Sequence, residues 1–189
     1  MLARRRCGRE AKGLRCRANR RSRLLALDGR LNRGAVVGLV EAHRPKIVAI
    51  DSPRSCAPDG EATRAGEREL AKAICGIRWT PDERRVHDGN AYYAWIVEGL
   101  ALYDALATRS AEVIEVFPTA SWTRWLGKRG GRSRAAWTRQ GLVSLGLEQL
   151  PVRTNQDQRD AIAAAVTARQ HTQGKTYAMG EIVVPAERR

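Results

Sequence analysis

The amino-acid sequence predicts an α/β fold, and three observations carry that expectation. Lys46–Pro53, KIVAIDSP, is a short continuous apolar run of β-branched character, the pattern of a strand buried on both faces. Glu112–Pro118, EVIEVFP, repeats the design. Helical stretches alternate with these runs, which argues for a sheet with parallel pairing and crossover helices.

The order of elements begins with a basic block. Residues 1–33 hold 12 Lys or Arg against 2 acids, so most of the formal charge of +14 lies there and residues 34–189 carry only +4. With almost no apolar periodicity, residues 1–33 read as a disordered basic leader, and residues 34–189 as one domain. Polyanion binding can belong to that leader alone. A mis-assigned start is the other explanation for its composition. Ala35–Arg44 reads as a short helix ended by Pro45, and the strand Lys46–Asp51 follows. Pro53 stops that strand, because the residue before a proline is held extended and the proline donates nothing to a ladder.

A loop rich in turn chemistry, SPRSCAPDGEA, leads to a helix over Thr63–Cys75 with Gly76 as its C′ residue. A longer helix is expected over Ala91–Thr108, with Tyr92, Trp95, Ile96, Leu100 and Tyr103 assigned to the core by their spacing. After the strand Glu112–Phe117, Thr119 is placed to cap a short helix through Leu126, and Ser133 to cap another ending near Gly146. Asn155 with Gln158 three residues on reads as a capping box, opening a helix to about Gln170. Glu181–Val184 completes the expected elements as a short strand.

Several classes are disfavoured. Cys7, Cys16, Cys56 and Cys75 have no CxxC spacing and the three histidines are scattered, which argues against structural zinc. No secretory h-region is present, and no apolar run approaches the ~18 residues of a spanning helix, so a cytoplasmic protein without a membrane partner is expected. Cys56 has no histidine near it in sequence and no feature that lowers a thiol pKa, which speaks against a catalytic thiol.

The acids point to a metal. Asp51 falls at the C-terminal edge of its strand, where open α/β sheets place their sites. Glu115 lies within the second apolar run. Asp157 and Asp160, three apart, share a helix face with Ala161, Ala164, Ala165 and Ala168, small residues that let the helix lie close to a sheet. Asp157 also complements the dipole of its helix from the first turn. An all-oxygen set suits Mg²⁺ or Mn²⁺, and two such ions roughly 4 Å apart activate water and stabilise the leaving oxygen of a phosphodiester. Without a cation, such carboxylates repel one another and resist ionisation.

Basic residues supply candidate phosphate contacts. Lys128, Arg129, Arg132, Arg134 and Arg139 cluster beside Trp125 and Trp137, either as a strand-binding surface or as a solvated loop above buried indoles. Arg64 and Arg68 either face a substrate phosphate or pair with Glu61, Glu67 or Glu69.

Four segments, IDSPRSCAPDGEATRAGERELAKAICGIRWTP, YYAWIVEGLALYDAL, VIEVFPTASW and NQDQRDAIAAAVTA, resemble the domain of unknown function 429 family, over about Gly34 to Pro185. The resemblance implies an RNase H-like mixed sheet flanked by helices and a predicted nuclease activity. It also implies three antiparallel strands before the first helix, for which this chain offers no visible pattern, so the first strands are expected to be missing through truncation or degeneration. Asp28 is the weaker candidate for a first-strand acid. By motif, Asp51 and Asp160 match metal ligands, while Glu115 and Asp157 complete or position the site. The expected function is metal-dependent hydrolysis of DNA or RNA, with inactivity through truncation allowed for. The alternative is a non-catalytic nucleic-acid-binding protein using the leader and the Arg-rich loop. A phosphotransferase is disfavoured by the lack of a Gly-rich phosphate loop.

Overall fold

Three short antiparallel strands open the chain in the computed structural model, which describes residues 2–4, 12–15, 23–29, 31–109 and 111–187. They are β1 (Leu2–Arg4), β2 (Lys12–Arg15) and β3 (Ala26–Leu27), in the order β1-β2-β3. The expectation of a leader without strands is thereby corrected. Each of these strands carries a single leucine, so no alternation appears along any one of them. The order emerges only across strands, where the register pairs Leu2 with Leu14 and Leu14 with Leu27. Signals of that kind need the pairing to be known first.

Helix α1 (Arg33–His43) follows, its Asn32 cap accepting from the Ala35 amide at 2.9 Å, and β4 (Ile47–Ile50) comes next. Then come α2 (Ala65–Ala73) and α3 (Glu83–Val86). The helix expected over 91–108 divides into a 3₁₀ turn, Ala91–Tyr93, and α4 (Ala94–Leu106). β5 (Glu112–Val116) leads to α5 (Pro118–Leu126), which opens with Pro118 at its first position rather than with a Thr119 cap. Ser133 caps α6 (Arg134–Ser144), and the Asn155–Gln158 capping box starts α7 (Gln156–His171), both as the sequence predicts. The expected last strand is β7 (Ile182–Pro185), and it forms a hairpin with a strand the periodicity did not reveal, β6 (Thr176–Met179).

The second sheet runs β4-β5-β7-β6, with β4, β5 and β7 parallel and β6 antiparallel. Its two faces are set by the period of two along β4 and β5. Ala49, Ile114 and Val116 share a core with the alanines of α7 and with Trp122, Trp125 and Trp137 of α5 and α6. Val48, Ile50 and Val113 turn the other way, towards Val36 and Val40 of α1 and Leu102, Tyr103 and Leu106 of α4. A third cluster joins Leu70 and Ile74 to Ala120 and to Ile182 and Val184 of β7. β1 lies beside β4, and α7 crosses β1, β2 and β4. Among the described residues, no helix is long and apolar enough to cross a membrane.

Close approach fixes α4 against the end of β4. The Tyr103 hydroxyl donates to the Ser52 carbonyl at 3.1 Å, and one turn earlier Gly99 meets the Ser52 side chain so closely that a Cβ there would overlap its Oγ. Helix propensity alone favours alanine over glycine by about 1 kcal/mol. Gly99→Ala is nevertheless expected to lower stability by about 1–3 kcal/mol, the usual cost of overpacking, as read by urea unfolding. A neutral or stabilised variant would show that the contact relaxes freely.

Candidate functional site

A cleft of about 710 Å³ opens at the C-terminal ends of β4 and β5. Asp51, Ser52 and Pro53 form one wall, Glu115, Val116 and Phe117 the floor, and Trp95 and Arg134 stand across it. Asp51 is where the sequence places it, directly after Ile50, the partner of Glu115 in the parallel ladder. The structure therefore brings Asp51 and Glu115 together on adjacent strand ends.

Glu115 is buried and heavily engaged. Arg64 binds it through both terminal nitrogens, at 2.8 Å and 2.5 Å, and the Arg54 amide adds a third bond at 2.8 Å. Bidentate guanidinium–carboxylate pairs of this kind are the strong, directional ones. Burial still pushes the Glu115 carboxyl above its ordinary pKa, against the opposing pull of Arg64. Arg64 in turn binds Glu67 through Nε and Nη2 and the more exposed Glu181 through Nη1 at 3.2 Å. All five guanidinium N–H groups are thus committed. Glu67 accepts further bonds from Thr63, from the Thr80 amide and hydroxyl, and from the Arg64 amide that it caps. Of the two alternatives the sequence left for Arg64, the pair with Glu67 is formed, and the residue is a structural hub in the cleft wall.

Asp160 occupies a different place. It is fully buried, accepts from Trp122 Nε1 at 3.1 Å and Gln156 Nε2 at 2.9 Å, and pairs with Arg134 at 3.0 Å. Glu115 alternates with Ile114 and Val116, which face α7, so Glu115 turns to the α4 face while Asp160 stays on the α7 face. The two acids lie on opposite faces of the sheet, and among the described residues Arg134 links Asp160 to the cleft. Asp157, half-buried in the first turn of α7, does not line the cleft either. Asp28 falls just after β3.

The basic candidates divide in the same way. Arg134 keeps 38 % of its side chain exposed, and Nη2 holds Thr119 Oγ1 and Asp160, which aims the guanidinium along the cleft. Arg132 braces its own loop through the carbonyls of Lys128 and Arg129 and through Gln140. That leaves Lys128 and Arg129 exposed on the loop leading to Arg134. Arg68 pairs with Glu61 at 2.9 Å on the surface, away from the cleft lining. Trp125 and Trp137 are buried under the loop and are not available to stack on bases. Sequence reasoning missed Arg78, an exposed cation on the rim, and assigned Tyr92 and Trp95 to the core although both line the cleft. Burial raises the Cys56 thiol pKa above its ordinary value, which disfavours the thiolate there.

The donor chemistry can be tested against a metal. Among the described residues, no three His, Cys, Asp or Glu converge in a metal-holding group. One hard cation is a different matter. Mg²⁺ commonly takes one or two protein carboxylates and completes its shell with water and substrate phosphates. Asp51 with Glu115 fits that pattern, and three carboxylates gathered on the single Arg64 guanidinium leave the wall with a surplus of negative charge.

A family model described as Protein of unknown function (DUF429) matches residues 7–186. Among curated proteins and among solved structures, no match to the chain is found.

Removing the hub should expose its electrostatics. Arg64→Met leaves Glu115 and Glu67 buried without their counter-charge, a loss of about 3–5 kcal/mol at pH 7 for this class of change. A buried carboxyl with a raised folded-state pKa favours folding when protonated, and that contribution is lost as pH rises through the folded pKa. Loss of Arg64 raises Glu115 further. The deficit of the variant is therefore expected to shrink as pH falls from 7 towards 4, measured by urea melts at both. A deficit independent of pH would show that the charges are not its source.

Proposed function

The chain belongs to the DUF429 family, and we propose that it is an RNase H-like, metal-assisted nuclease that holds nucleic-acid phosphodiesters in this cleft. The observation that carries the reading is the meeting of Asp51 and Glu115 on adjacent parallel strand ends, in one cleft with Arg134. The order of elements supports the fold assignment: three antiparallel strands, a helix, and then parallel strands alternating with helices.

Asp51 and Glu115 would hold one Mg²⁺ or Mn²⁺. Such an ion supplies polarisation of a phosphoryl oxygen and neutralises charge that develops there. The protein's own residues do the rest. Arg134, held by Asp160 and Thr119, grips a phosphate from one side, and Arg78 on the rim adds a second positive charge. Lys128 and Arg129 extend the basic track along the backbone of the strand outside the cleft. The sequence-predicted acid of α7 then acts as a positioning residue, through the arginine it orients.

Binding without hydrolysis is the second reading. What favours it is that Arg64 occupies both oxygens of Glu115 and that Asp160 lies on the other face of the sheet.

The two readings separate in one experiment on labelled DNA and RNA with Mg²⁺ or Mn²⁺ present. Wild type is expected to cleave, and Asp51→Asn to lower the rate at least ~100-fold, the scale of several kcal/mol of charge stabilisation, with binding retained. Arg134→Gln should weaken binding and lower the salt-dependence slope by about one. Undiminished cleavage by Asp51→Asn overturns the nuclease reading, while wild-type binding without cleavage at any metal concentration establishes the second.

A further inference from the structure

We infer that the cleft takes one unpaired nucleotide, its base against Trp95, and that the protein therefore selects single-stranded over duplex nucleic acid. This rests on the reading of the cleft as a nucleic-acid site and adds which form of the polymer it admits.

Three cleft residues each keep a buried donor atom with no hydrogen-bond partner among the described residues: Ser52 Oγ, Trp95 Nε1 and Arg134 Nε. Buried polar atoms are rarely left unpaired. Others of this kind lie away from the cleft, on Trp125, Trp137, Arg109, Arg124 and Arg169. What sets these three apart is that they share one cavity with aromatic side chains, and that grouping points to a ligand that brings acceptors. The surroundings explain why no protein group supplies them. Ser52 Oγ is pressed against the Gly99 backbone, where no side chain exists to answer it. Trp95 stands one turn before Gly99 on the same side of α4, so its indole projects past the end of the helix–strand contact into the cleft. Arg134 spends Nη2 on Asp160 and Thr119, and neither bond uses its Nε.

The required ligand carries both acceptor atoms and a flat apolar face. Tyr92, 51 % exposed at the rim, and Phe117 on the floor add aromatic surface to that of Trp95. A phosphate supplies acceptors to Arg134 and a base edge supplies them to the indole N–H and the serine hydroxyl. The volume of about 710 Å³ suits a ligand of nucleotide size. A base inside a duplex has both faces covered by its neighbours and its pairing edge engaged. It reaches such a site only after unstacking, which costs a few kcal/mol that a single strand does not lose. Stacking on an aromatic side chain tolerates any base, so selection is for the unpaired state and not for sequence.

The test is fluorescence anisotropy with a labelled phosphorothioate hexanucleotide, which resists cleavage, and with a blunt two-strand duplex of the same bases, which has no loop. The hexanucleotide is expected to bind at least ~10-fold more tightly than the duplex. Trp95→Ala should weaken the hexanucleotide by about 10-fold or more and leave the duplex unchanged. Trp95→Phe, which keeps a ring and removes only the N–H, should lose less and guards against misfolding. Equal binding of both probes, with Trp95 variants without effect, overturns the inference; the cleft reading survives that result if Arg134→Gln weakens both. No binding of either probe overturns the two together.

Discussion

The buried contact between Arg64 and its carboxylates is the constraint on which the rest of the site depends. One guanidinium joins β5 through Glu115, the start of α2 through Glu67 and the β6–β7 turn through Glu181. Glu115 and Glu67 alone would each be a buried charge with a large desolvation cost, and neither is tolerable without its counter-charge. The same hub fixes the loop after β4, because Glu115 also accepts the Arg54 amide and Ser55 reaches Glu181. The position of Asp51 on the cleft wall is thus a consequence of charge pairing several residues away. Gly66 belongs to the same arrangement: a Cβ there would overlap the Met179 carbonyl, so α2 can close on the hairpin only at a glycine.

A second buried acid repeats the principle on the opposite face. Asp160 takes Trp122, Gln156 and Arg134, and of these only Arg134 extends to the cleft. Glu115 and Asp160, which the sequence suggested as members of one acidic set with Asp51 and Asp157, each hold an arginine. The outcomes differ because the arginines differ in what they have left. Arg64 has every N–H bound, whereas Arg134 keeps Nε uncommitted and over a third of its side chain in contact with solvent. Partly exposed positive charge therefore reaches the cleft from Arg134 on the α6 side and from Arg78 after α2, while the Arg64 hub supplies rigidity.

Much of this was legible in the sequence, and the failures have physical causes. The strand ending at Asp51, the strand holding Glu115, the Asn155–Gln158 capping box and the Ser133 cap were readable because each is a local pattern. Which side of the sheet an acid faces is also local, but it needs the neighbours' partners to be known. Ile114 and Val116 had to be seen against α7 before Glu115 could be placed away from Asp160. Trp95 was misassigned for a related reason. Helical spacing puts it on the stripe that includes Gly99 and Tyr103, and the sequence does not say that β4 ends below it, leaving its indole at an opening. The N-terminal strands escaped notice because their one leucine apiece aligns only through pairing. The family match starting at residue 7 includes most of that segment, so the resemblance extends further than its motifs did.

The location of the cleft follows from topology. β4 and β5 are parallel neighbours, yet the chain leaves them in opposite directions. After β4 it proceeds to α4 on the face shared with α1, and after β5 it turns into α5 on the face shared with α7. Adjacent strands that send their connections to opposite faces leave a crevice beyond their C-terminal ends, the switch point at which open α/β sheets bind ligands. Nothing in that argument depends on charge. The charges explain what the crevice can hold: carboxylates from the strand ends on one side, an arginine from α6 on the other, and an indole from α4 across the top. Under the proposed reading a phosphate complements the arginine and a flat base the indole, while the carboxylates repel phosphate unless a cation lies between them. The net basicity of the chain is concentrated before residue 34.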